Sequence, residues 1–172
     1  MQYLLRISIW ACALMTASAA MAEQFTFQYQ KVLETSGEVK LTLTNRSGHV
    51  DIAAHDSDFV IIDAVKKIKA GTKKEASEVA DRIEIRVDQS KDQITVTTNY
   101  LNLKDRSASF WKNLIGGGNE AFGAVEFSIK VPAYCDLKID NGYGGVTIVR
   151  INGAIRAQSG EGGISLDQIT GA

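Results

Sequence analysis

His49, Asp51, His55, Asp56 and Asp58 form the densest set of candidate metal ligands in the chain. If His49-Val50-Asp51 is a strand, its period of two puts the imidazole and the carboxylate on one face. A zinc site needs three or four ligands in defined spacing, and no second ligand cluster occurs, so these residues read as surface turn chemistry with no metal site. No Ser, His and Asp set has supporting context, and neither a nucleophile elbow nor a Cys–His pair is present. The chain is therefore read as a non-enzyme, without catalytic residues or cofactors. Gly116-Gly117-Gly118-Asn119-Glu120-Ala121 imitates a dinucleotide fingerprint but lies outside any strand–turn–helix unit. Asp140 and Asp167 are the acids that a carbohydrate-cleaving β-helix would use. They stand among Lys138, Thr147, Arg156 and Ser165, a mixed outward set, which makes such an enzyme the alternative. Lys66, Lys67, Lys69, Lys73 and Lys74 form a basic patch that reads as a solvated face. The binding candidates are Phe110 and Trp111, flanked by Lys104, Arg106 and Lys112, because aromatics on a loop mark partner or membrane contacts. The competing reading makes the pair a hydrophobic lid over the core.

The elements that must position these residues are mostly strands. Phe25, Phe27 and Tyr29 alternate with polar residues, as do Val39, Leu41 and Leu43, then Val50 and Ile52. Phe59 to Val65 is a β-branched run expected to be a strand buried on both faces. Thr72-Lys73-Lys74-Glu75 has capping-box form, and Ala76, Val79, Ala80 and Ile83 follow at helical spacing, so one helix is expected at about 73–82. Strand alternation returns at Ile83, Ile85 and Val87, then at Ile94 and Val96 after a polar turn, and again from Val125 to Val131. Between them residues 101–124 keep no period and read as a long loop.

The C-terminal third repeats itself. Leu137-Lys-Ile139-Asp-Asn141-Gly-Tyr-Gly-Gly145-Val146-Thr-Ile148 returns 18 residues later as Ile155-Arg-Ala157-Gln-Ser159-Gly-Glu-Gly-Gly163-Ile164-Ser-Leu166. A diverged copy lies upstream, Leu41-Thr-Leu43-Thr-Asn45-Arg-Ser-Gly48-His-Val50-Asp-Ile52. Apolar pairs at alternate positions with glycines at corners meet the needs of a β-solenoid coil. The expected fold is all-β, a β-solenoid or parallel β-helix-like stack with one inserted helix. The last copy stops mid-coil at Gly171-Ala172, which points either to a longer parent chain or to a partner covering an open edge.

Leu41 to Ile52, the helix with Ile83 to Val96, Val125 to Pro132 and the Gly-Gly-Val/Ile repeats resemble the putative-adhesin family, a domain of unknown function in bacterial envelope proteins. The resemblance covers most of residues 37–172 outside the 101–124 loop. It implies β-solenoid character and an envelope location, and it brings no catalytic residues. Gly145 and Gly163 stand where family coils often carry Asp.

The N-terminus reads as a secretory signal. Arg6 precedes the apolar run Ile7 to Met15, and Ala20-Met21-Ala22 forms an A-x-A site, so cleavage is expected between Ala22 and Glu23. The apolar core is too short for a membrane anchor. Residues 1–22 carry one base and no acid, which leaves 18 basic against 20 acidic side chains, net −2, in residues 23–172. That balance offers no field for nucleic acid. Cys135 is the one cysteine after cleavage and reads as a buried small hydrophobe or an intermolecular pairing point. The functional expectation is an exported periplasmic or cell-surface protein that binds an envelope protein or a glycan without catalysis. Homo-oligomers through the open coil, up to a self-assembling structural polymer, form the remaining class.

Overall fold

The computed structural model describes residues 23–101 and 123–171. Strand alternation holds through most of them. β1 spans Glu23–Glu34, β2 Val39–Ser47, β3 Val50–His55 and β4 Phe59–Ala70. The helix α1 covers Lys73–Ala80, and Thr72 caps it by accepting the Glu75 amide on its hydroxyl at 3.2 Å. Ala76, Val79 and Ala80 are the helical face that packs into the core. β5 follows at Ile83–Ser90, β6 at Gln93–Tyr100, β7 at Ala124–Pro132 and β8 at Cys135–Tyr143. The chain closes with β9 at Val146–Val149, β10 at Ile155–Glu161 and β11 at Ile164–Asp167. Among the described residues no helix is long and apolar enough to cross a membrane. β4 differs from its expectation. Val60, Ile62 and Ala64 are buried while Ile61, Asp63 and Val65 are only partly so, which makes it a one-sided strand.

The strands form two sheets. One runs β1-β4-β7-β3-β9-β11, and the other runs β10-β8-β2-β6-β5. Of the nine strand pairs six are parallel, all among β6, β2, β8 and β10 or among β7, β3, β9 and β11. The other three, β1·β4, β4·β7 and β5·β6, are antiparallel. The expected β-solenoid is therefore not the fold. A solenoid stacks its coils in chain order, all parallel. Here the chain leaves β3 and reverses through β4, and the unit β6–β7 then slots beside β2–β3 out of chain order. All-β with one helix holds, as two mixed sheets. Alternation at period two carries no strand direction, which is why the antiparallel half read like the parallel half.

The repeats pair in the register of their alignment. Leu137 lies beside Ile155 and beside Leu41, and Val146 lies beside Ile164 and beside Val50. At each corner between the sheets a glycine turns the chain. Gly48, Gly144 and Gly162 have φ of +127°, +116° and +136°. A Cβ on Gly144 would stand 2.3 Å from the Gly48 carbonyl oxygen, so side-chain-free residues are required by space as well as by φ. Behind them runs a buried polar column. Thr98 Oγ1 donates to Asn45 Oδ1 at 3.0 Å, and Asn45 Nδ2 donates to Val125 O at 3.0 Å and to Asn141 Oδ1 at 3.1 Å. Asn141 Nδ2 in turn donates to Gly48 O at 3.0 Å and Gly144 O at 2.9 Å. These amides satisfy corner carbonyls that sheet pairing leaves over.

Candidate functional site

The sequence candidates do not converge. His49 Nε2 reaches Asp51 Oδ1 at 3.1 Å and Thr147 Oγ1 at 3.3 Å, so the shared strand face is real. His55, however, turns its Nε2 to the Phe59 carbonyl at 2.7 Å and stacks edge-on against the Phe59 ring. Among the described residues no three His, Cys, Asp or Glu side chains gather as metal ligands. Asp140 lies on β8 in one sheet and Asp167 on β11 in the other, so the pair does not share a face. The lysine patch is partly consumed by structure. Lys66 Nζ donates to the Ala80 carbonyl at the end of α1 at 2.8 Å, and burial lowers its pKa. Lys67 pairs with Glu126 at 2.6 Å. Phe110, Trp111 and Ala22 lie outside the described residues, and Glu23 opens β1. Cys135 is buried on β8, and burial pushes its thiol up to about 12, which suits a core residue rather than a nucleophile.

The feature with binding potential is the edge made by β10 and β11. Among the described residues β10 pairs with β8 alone and β11 with β9 alone, so both sheets end here with open backbone groups. The repeat dictates what faces outward. Val146 and Ile148 on β9 are 1% and 0% exposed, sealed between neighbours. Their register partners on β11, Ile164 and Leu166, are 42% and 53% exposed. Ile155 and Ala157 on β10 are half-covered in the same way. At the other end the sheets finish in β1 and β5, each also paired on one side alone among the described residues. Antiparallel strands border it, α1 packs on β1, β4 and β5, and Lys31 Nζ of β1 donates to the Val87 carbonyl of β5 at 3.2 Å, tying the two sheets together.

No protein-family model matches the chain, and neither does any curated protein. Among solved structures it is similar to a putative cell adhesion protein from Clostridium sporogenes, with 14% identity and a TM-score of 0.49 over 84% of this chain and 62% of that one. It is also similar to a putative adhesin from Bacteroides fragilis, with 10% identity and a TM-score of 0.39 over 87% of this chain and 55% of that one. A third is a putative lipid binding protein from Parabacteroides distasonis, with 6% identity and a TM-score of 0.36 over 84% and 59% of the two chains. The chain spans less than two thirds of the length of each.

Proposed function

We propose that the chain is an exported cell-envelope protein that acts by surface binding rather than catalysis, and that its β10–β11 edge takes a second copy of itself. The observation that carries this reading is the exposure of Ile164 and Leu166, whose counterparts one strand inward are sealed. Full burial of such a side chain is worth about 1.5–3 kcal/mol, so covering two half-exposed ones on each copy supplies several kcal/mol per dimer. Open edges also template strand pairing. A two-fold axis normal to the sheets sets β11 against β11 and β10 against β10 of the second copy, antiparallel, so one operation closes both edges. Export rests on Arg6, the run Ile7 to Met15 and Ala20-Met21-Ala22.

Periplasmic expression from Met1, followed by N-terminal sequencing and light scattering across a concentration series, tests both parts. The expected product begins at Glu23 and scatters with twice the mass of its chain. Ile164→Lys with Leu166→Lys restores the monomer without changing the circular dichroism spectrum. A wild-type monomer at about 100 μM, well above the dissociation constant of a stable dimer, overturns the docking assignment. Filaments would replace it with the polymer class. An uncleaved N-terminus overturns export.

A further inference from the structure

Parallel pairing sets residues from the same repeat position side by side, and on the outer face of the five-stranded sheet this concentrates positive charge. Lys138 lies directly beside Arg156, Thr42 beside Lys138 and Thr95 beside Thr42. Lys138 and Arg156 are both exposed, and among the described residues neither makes a hydrogen bond or an ion pair. Like charges facing across neighbouring strands oppose folding, so the arrangement costs stability unless an anion sits between them. Next to the pair is an open groove of about 280 Å³ where Lys40, Thr42, Asp136, Lys138 and Arg156 meet, with Leu41, Leu137, Ala154 and Ile155 completing its lining. Asp136 is already engaged, accepting the Ala154 amide on Oδ1 at 3.0 Å with Oδ2 at 3.9 Å from Lys40 Nζ. Three cations and one carboxylate leave the groove at +2 on a chain whose formal charge is −1. The next outward acid on β8, Asp140, stands beside Gln158 and not beside Arg156.

We propose that this groove binds an oxyanion carried by an acidic polysaccharide, as a uronate carboxylate or a sulfate ester. The planar guanidinium of Arg156 presents two parallel N–H groups to the oxyanion, Lys138 adds a point charge and Thr42 a hydroxyl donor. The surroundings favour a polysaccharide over a membrane. The adjacent row, Thr97, Thr44, Asp140 and Gln158, continues the sheet as hydroxyl, carboxylate and amide groups that suit sugar hydroxyls. Neither row offers an apolar or aromatic side chain to enter a bilayer. Arg156 projects from β10, the strand proposed to pair between copies, so the calorimetry is run beside light scattering to separate loss of anion binding from a change of oligomeric state.

The test is titration calorimetry of the mature protein with polygalacturonate, sulfated dextran and uncharged dextran, with anionic phospholipid vesicles as a further arm. The acidic polymers bind, and uncharged dextran does not. Lys138→Gln with Arg156→Gln weakens binding by at least about tenfold, the loss expected when a charge-assisted contact goes. Lys69→Gln, an exposed lysine outside the groove, leaves it unchanged. Raising salt from about 50 to about 200 mM weakens binding to the wild type, because exposed charges are screened. Full binding by the double variant, equal binding of uncharged dextran, or no acidic polymer bound overturns the assignment. Vesicle binding without polysaccharide binding also overturns it and transfers the two cations to a membrane contact.

Discussion

Replacing Gly144 with alanine places a methyl group where the structure holds backbone. The new Cβ would lie 2.3 Å from the Gly48 carbonyl oxygen and 2.7 Å from its carbon. Neither atom can swing aside, since Gly48 turns its own corner and its oxygen accepts the Asn141 amide at 3.0 Å. The backbone adds a second cost, because φ at Gly144 is +116°, a region that residues with a Cβ avoid. A non-glycine residue held in such a region costs of order 1–3 kcal/mol before any clash is counted. Relieving the contact means moving one corner away from the next, which weakens pairing on both sides. We expect Gly144→Ala to lose about 3–4 kcal/mol out of the roughly 5–15 kcal/mol of a typical domain. At this size that is about 6–15 °C in Tm. Gly163→Ala is the matched control, because a Cβ there meets nothing within 4 Å. Urea unfolding followed by far-ultraviolet circular dichroism measures both, and Gly163→Ala should stay within about 0.5 kcal/mol of wild type. If Gly144→Ala also stays within that range, or if both variants lose equally, the stacked-corner argument is wrong.

Two further predictions concern the polar interior. Asn141→Leu strips the Gly48 carbonyl of its side-chain donor, leaves the Gly144 carbonyl with the Ser159 hydroxyl alone, and leaves Asn45 Nδ2 short of an acceptor. A loss of about 2–4 kcal/mol is expected, and a double-mutant cycle with Asn45→Ala should show coupling of about 0.5–3 kcal/mol, whereas additive losses would refute a shared column. The second concerns alkaline stability. Burial raises the Cys135 thiol from 9.0 to about 12 and the Tyr100 phenol from 10.0 to about 12, with Arg46 opposing the second rise. The unfolded chain therefore releases these protons first, so stability is fully present below pH 9.0 and falls as pH climbs toward about 12. Cys135→Ala should flatten the fall between pH 9 and 10, and an unchanged slope in pH-dependent urea midpoints would refute a buried neutral thiol.

How much of this was legible depends on which half of the molecule is considered. In the parallel half, the 18-residue offset between Leu137 and Ile155 is itself the strand register, so sequence alignment and hydrogen-bond pairing are one fact. The Asn45 and Asn141 positions and the corner glycines followed from it. In the antiparallel half nothing repeats. β4 meets β1 and β7 through registers that only the folded sheet defines, and Ile61 and Val65 looked as core-forming as Ile62 because hydropathy does not report which face is covered. The capping residues of α1 were readable because Thr72 and Glu75 act over a single turn. Within the metal-like cluster, His55 turns to the Phe59 carbonyl four residues away, a local contact that residue spacing does not report.

The same register explains why both proposed surfaces arise in the parallel half. When repeats pair in parallel, equivalent positions form rows across the sheet, and every row amplifies one residue choice. At the glycine position the amplification is structural, since each corner must vacate space for the next. At the asparagine position it gives a buried column that satisfies the corners. On the outer face the second position of the repeat reads Thr42, Lys138 and Arg156, so divergence there converts a neutral row into a cationic one without disturbing the core beneath. On the last strands the inward positions keep Ile164 and Leu166 although no further strand covers them among the described residues. Their exposure at register positions that are sealed one strand inward is the reason to look for a binding partner at the edge, and the charge on the outer face is the reason to look for a different one there.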